Sequence, residues 1–244
     1  MTCSAVTSWR GGPLTPTTAA DSSGSVTATP ILDWSARDVE RLYDRVLLAP
    51  EAPATPTSFL RTAHTCVRRE VRGVYALDDQ QPMSTTIGRG RGSCGQRLAI
   101  VEGLARRHSI RTRVRGLVLH GEFWYPRFRY LHGLVPDRVL LAWPEFLVEG
   151  RWLDASEIFD GGDCTIDAEP FANCGEETLF DALARAPINW GGQSSRSCLD
   201  LSGFVAANLG TFDSRDELFG TYGQTIARPI RAIIEPFFSR WNAR

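Results

Sequence analysis

Gly92-Ser93-Cys94-Gly95-Gln96-Arg97-Leu98-Ala99-Ile100-Val101 reads as the start of a helix with a cysteine on its first turn. Ser93 is an N-cap residue, and Gln96 three positions later completes a capping box. Cys94 then occupies the first helical position, where unpaired backbone N–H groups and the helix dipole favour negative charge. A thiolate is stabilised at such a place, which makes the sulfur a candidate nucleophile. A second reading stays open. Cys94 shares a stripe with Leu98, Val101 and Ala105, so it also suits a buried apolar position.

Working outward from this stretch, the spacing predicts helices over 33–48 and 57–77 before it. Val39, Leu42, Val46 and Leu47 face inward from the first; Leu60, Ala63, Val67, Val71 and Tyr75 do so from the second. Residues 78–93 are polar and glycine-rich and read as a mobile approach to Cys94. The cysteine helix runs over 94–108. Strands are predicted at 112–119 and 138–148, with a Glu149-Gly150 turn leading into 151–154. The aromatic stretch 121–130 reads as extended. Beyond 161 the pattern turns helical, at 176–185, 197–209 and 224–241, with Pro229 and Pro236 expected to kink the last. Helices first and strands after them give an α+β order. The expected organisation is a tail over 1–30 with Trp9 as its one anchor, a core over 31–160 and a helical extension over 161–244.

Composition narrows the function. The chain has 244 residues, 43% of them apolar, and a net charge of −1, which gives no electrostatic reason to expect nucleic acid. All 27 basic residues are arginine, so lysine chemistry and a Walker-type phosphate loop are excluded. The cysteines are Cys3, Cys66, Cys94, Cys164, Cys174 and Cys198; the histidines are His64, His108, His120 and His132. Neither set shows a metal-ligand spacing, so no metal and no cofactor are expected. No apolar run suits a membrane span and no signal peptide is read, which makes cytoplasmic residence with reduced thiols the default expectation.

Leu104-Ala105-Arg106-Arg107-His108-Ser109-Ile110 followed by Arg113-Val114-Arg115-Gly116 resembles the core of the transglutaminase-like superfamily, the papain-like thiol fold. That family continues with a strand reading His-Ala-Trp-x-Glu, then a glycine turn and a strand with Trp followed by Asp. Here the matching stretches are Leu141-Ala142-Trp143-Pro144-Glu145 and Gly150-Arg151-Trp152-Leu153-Asp154. The resemblance spans about residues 60–156. It implies a transglutaminase-like core of N-terminal helices on an antiparallel sheet, with Cys94 attacking an acyl carbon. A histidine would move the proton and an aspartate would orient it. Leu141 stands at the histidine position, and Asp154 lies two residues after Trp152 where the family places its aspartate about four after; Ser156 fills that slot.

Three explanations of Leu141 are open. His132, or else His120, supplies the base; Glu145 does, since it shares the strand face of Leu141 and Trp143; or acyl transfer has been lost. The candidate catalytic set is therefore Cys94, Asp154, Glu145 and His132. Trp124, Tyr125 and Trp143 are expected to line an apolar pocket, and Arg89 and Arg91 to meet an anionic group on a small-molecule or peptide-like substrate. Two functions follow: a thiol enzyme for hydrolysis, acyl transfer or cyclisation, and a non-catalytic relative that binds a metabolite or peptide in the same cleft.

Overall fold

The computed structural model describes residues 22–50, 53–159, 171–175, 177–191 and 199–241. Trp9, Cys3, Cys164 and Cys198 lie outside them. Helix α1 (Arg37–Leu47) buries Val39, Leu42 and Val46 of the face its spacing predicts, whereas Leu47, expected inward, is exposed at the helix end. Helix α2 (Pro56–Glu70) starts under Thr55, whose side chain accepts from Ser58 N in a reciprocal capping box, with Pro56 in the first turn where its missing N–H costs nothing. The helix stops at Glu70, seven residues before the predicted end. Arg72–Gly73 (β1) instead pairs in parallel with Arg91–Gly92 (β2).

The stretch expected as a loop contains helix α3 (Met83–Arg89), which Gly90 ends in a left-handed conformation at φ 60°. Polar composition hid it. Its anchor is Met83, fully buried against Gly103, where an added Cβ would collide with the Met83 sulfur. Helix α4 (Cys94–Arg107) follows and is buried from Gln96 to Arg106.

Strand β3 (Thr112–His120) runs antiparallel to β4 (Arg138–Val148), and β4 to β5 (Arg151–Asp154). Glu149 and Gly150 both take positive φ (51° and 77°), as a two-residue hairpin of this twist requires. Short elements come next: α5 (Ala155–Phe159), α6 (Leu179–Ala182) and the two-residue pair β6 (Ile188–Asn189) and β7 (Leu199–Asp200). Strand β8 (Val205–Phe212), α7 (Arg215–Tyr222) and α8 (Arg228–Phe238) complete the described chain.

The central sheet has the order β5-β4-β3-β8. Its fourth strand is a correction to the sequence reading, which expected a helix over 197–209. Val114 to Leu119 of β3 present backbone groups on the side away from β4, and buried backbone groups must be paired. Residues 205–212 pair with them in an irregular antiparallel ladder from Val114↔Phe212 to Leu119↔Val205. The C-terminal part of the chain is thus built into the sheet. Three smaller corrections follow. Residues 121–130 are turns, with a 3₁₀ turn at Gly121–Trp124. The 176–185 helix shrinks to α6. Helix α8 is continuous through Pro236, and Pro229 sits harmlessly in its first turn. Among the described residues, no helix is long and apolar enough to cross a membrane.

Part of the expected tail is also packed. Ser25 and Thr112 exchange two backbone hydrogen bonds (2.9 and 3.0 Å), Arg106 Nη1 donates to Thr27 O (2.9 Å) and Trp34 Nε1 to Val26 O (3.2 Å). Deleting residues 22–30 along with everything before them is therefore expected to lower Tm by several degrees, since each kcal/mol moves a domain of this size by roughly 2–4 °C. A melting curve unchanged by the deletion would show that these contacts contribute nothing.

Candidate active site

Ser93 accepts from Gln96 N and Gln96 Oε1 accepts from Ser93 N, so the capping box read from the sequence is formed and Cys94 is the first residue of α4. The thiol is partly buried and packs against the core. Among the described residues, no imidazole or carboxylate is hydrogen-bonded to its sulfur.

The sheet register explains why the four expected partners are elsewhere. Glu145, Trp143 and Leu141 pair with Arg113, Arg115 and Leu117 and share their face. The other face carries Thr112, which meets Arg106 of α4, and Gly116, which meets Leu218 of α7. Strand alternation therefore turns Leu141, Trp143 and Glu145 away from the cysteine helix. Glu145 is buried between two arginines: Arg113 Nε donates to it at 2.6 Å and Arg115 Nη2 also donates. Arg113 in turn lies 4.4 Å over the Trp152 ring. Asp154 caps α5, its Oδ1 accepting from Ser156 N (2.7 Å) and Glu157 N (3.2 Å); burial, then the nearby Glu157 charge, pushes its carboxyl up. Ser156 Oγ donates to Ile188 O. His132 is exposed, with Nδ1 against Arg129 O, and His120 is exposed at the end of β3.

The remaining two histidines are packing residues. His64 stacks between Phe159 and Phe180 and is pulled down to about 4, chiefly by burial. His108 stacks on Phe59 at 3.8 Å.

Of the expected pocket, Trp124 and Trp143 belong to one aromatic cluster. Trp124 meets Phe123, Phe123 meets Trp190, and Trp190 meets Trp143 edge-on at 5.3 Å. Tyr125 stays outside it, exposed beside His132. Arg89 is exposed and donates to Gln81; Arg91 is half-buried in β2.

The residues beside the first turn of α4 come from a strap, residues 74–81, which the sequence reading divided between the end of the second helix and the mobile approach to Cys94. Val74 N donates to Gly92 O (3.0 Å), continuing the β1–β2 pairing and bringing Tyr75 level with Cys94. Burial pushes the Tyr75 phenol up, Arg127 pulls it back, and Cys94 adds a smaller push upward. Gln96 Nε2 donates to Asp78 O (2.8 Å). Asp79 Oδ1 stands 3.8 Å from where a Cβ on Gly95 would be. Arg127 Nη1 donates to the Tyr75 hydroxyl (2.9 Å) and its Nε to Asn173 Oδ1 (2.7 Å), while Asn173 Nδ2 donates to Phe123 O. Arg127 therefore links the cysteine side of the molecule to the aromatic cluster. The outer side of the strap carries α8 and the turn before it: Leu77 N donates to Glu235, Asp79 N to Gln224 Oε1, and Trp241 lies edge-on to Tyr75. The Asp78-Asp79 pair was the available sequence signal, because two adjacent carboxyls in one enclosed strap cannot both ionise freely.

Asp79 shows this effect. Burial first, and the Asp78 charge second, push it up to about 7. Its pKa in the folded protein thus lies above the ordinary 3.8, so the folded state binds more protons between these values. Stability from this group is complete below about pH 4 and is lost as pH rises through about 7. Asp79→Asn is expected to match the parent near pH 4 and to exceed it by roughly 1–3 kcal/mol near pH 8, allowing for the residue's partial exposure. Urea midpoints of both proteins across that range decide it; parallel curves would mean the carboxyl titrates normally. His64 titrates in both proteins and drops out of the difference.

Comparison with known protein families, with curated proteins and with solved structures finds no match to this chain. Among the described residues, no group of three or more His, Cys, Asp or Glu side chains is placed to hold a metal ion.

Proposed function

We propose that the chain is a transglutaminase-like thiol enzyme in which Cys94 attacks a small acyl, amide or electrophilic substrate. The observation that carries this reading is the strap: it wraps Tyr75 and Asp79 around the capped first turn of α4, beside a partly accessible thiol. The chain order also supports it, with the cysteine helix leading into antiparallel β3, β4 and β5 and ending on Trp152-Leu153-Asp154. Asp79 replaces the family histidine in this scheme. A carboxyl titrating near neutrality takes the thiol proton, directly or through one water, and returns it to the leaving group.

The test is acylation. Incubation with p-nitrophenyl acetate near pH 7.5, followed by peptide mass spectrometry, should place an acetyl group on Cys94 ahead of Cys66 and Cys174. Cys174 is the stricter control, because it is exposed, whereas burial raises the Cys66 pKa and slows that thiol. One observation favours a second reading, a binding module without turnover: among the described residues no imidazole or carboxylate is bonded to the sulfur, and apolar Leu141 stands at the sequence position of the family base. Absence of a Cys94 adduct under conditions that label Cys174 would decide for it.

A further inference from the structure

We infer that Tyr75 is the hydrogen-bond donor to the oxyanion that forms when the Cys94 sulfur attacks an acyl carbon, with Arg127 holding it in place. This rests on the thiol-enzyme reading above and adds a residue that the family resemblance does not supply.

The geometry begins with the backbone. Arg72 and Gly73 pair with Arg91 and Gly92, and Val74 N donates to Gly92 O, so the parallel ladder carries Tyr75 alongside Cys94. The ring is then fixed from the outside, tilted against Phe128 at 5.0 Å and edge-on to Trp241 at 5.9 Å. Arg127 supplies the directional element. A guanidinium can only donate, so its hydrogen bond to Tyr75 uses a lone pair of the phenol oxygen. The phenol's own hydrogen is not used in that bond and is left to donate. Arg127 is itself tied to Asn173 Oδ1 and to the carbonyls of Gly175 and Glu177, so the hydroxyl is anchored before substrate arrives. Burial, the largest influence on the phenol, keeps it protonated and therefore a donor. A preorganised donor of this kind stabilises charge that exists only in the transition state.

The Cys94 thiolate forms a C–S bond to the ester carbonyl carbon, and the C=O π pair moves onto oxygen, where the Tyr75 O–H meets it. Collapse restores the C=O bond and expels p-nitrophenolate, leaving a thioester. Alkylation by iodoacetamide also forms a bond to sulfur, but it expels iodide from an sp³ carbon and creates no oxyanion. The two reagents therefore separate Tyr75's action on the carbonyl from any action on the thiol.

The experiment compares wild type and Tyr75→Phe with both reagents, following Cys94 by mass spectrometry. Acetylation by p-nitrophenyl acetate should fall at least about tenfold, toward the 10²–10³ typical of losing one such donor, while alkylation stays within about twofold. Unchanged alkylation also reports that the site remains folded. Undiminished acetylation, or an equal fall with both reagents, overturns the role assigned to Tyr75. A wild-type Cys94 that iodoacetamide alkylates but the ester does not acetylate overturns the thiol-enzyme reading, and this inference with it.

Discussion

Replacing Cys94 by alanine is expected to abolish acyl transfer, with turnover falling at least about 10³-fold, because no other group at the site can form the covalent intermediate. Stability should hardly change. The side chain is partly buried, its sulfur accepts no hydrogen bond from the described residues, and the caps of α4 come from Ser93 and Gln96. The cost of the change is therefore expected to stay within about 1 kcal/mol. A melting curve and an activity assay on the same sample separate the two effects. If Cys94→Ala keeps full turnover, the thiol is a packing residue and the α4 terminus is not a catalytic site.

The second large effect is on the support of that helix. Glu102 is fully buried in the middle of α4; Arg215 Nε donates to it at 2.6 Å and Thr112 Oγ1 at 3.3 Å, and Arg106 Nη2 lies at 3.5 Å. Arg106 also donates to Thr112 Oγ1, Thr27 O and Asp213 O, so one carboxylate joins α4 to α7, to β3 and to the N-terminal segment. Burial already pulls the Arg106 guanidinium below its ordinary pKa, and Glu102 offsets this. Glu102→Ala would leave two buried cations facing each other, which costs about 3–5 kcal/mol when a buried pair is broken from one side. Tm is expected to fall by roughly 10 °C or more. A drop of only one or two degrees would mean that water or a shift of α7 replaces the carboxylate. Among the described residues no hydrogen bond joins the strap to this network, so low-temperature iodoacetamide labelling of Cys94 should survive in Glu102→Ala, although the Arg215 charge, which draws the Asp79 carboxyl down, loses its partner.

The sequence by itself determined the elements whose signals are local. The Ser93–Gln96 capping box places the start of α4 at Cys94 because its partners are three residues apart. Val39, Leu42 and Val46 define the inward face of α1 by helical spacing alone, and Glu149-Gly150 specifies the β4–β5 hairpin through its two positive φ angles. Only the tertiary structure decided where a segment's partner is remote. Residues 205–212 become a strand because β3 needs a ladder on its open side, a demand set nearly a hundred residues earlier in the chain. Ser25 joins the start of β3 for the same reason. The site followed this rule too. Glu145 and Asp154 carry suitable chemistry and share a strand face, but the register turns that face away from α4 and gives them arginine and helix-capping partners. Helical spacing assigned Tyr75 to the inward face of the second helix and Asp79 to a polar stretch with no periodicity, yet two backbone pairings and one glutamine side chain bring both to the first turn of α4. Such contacts depend on how strands align in space. A one-dimensional pattern of apolar and polar residues holds no record of them.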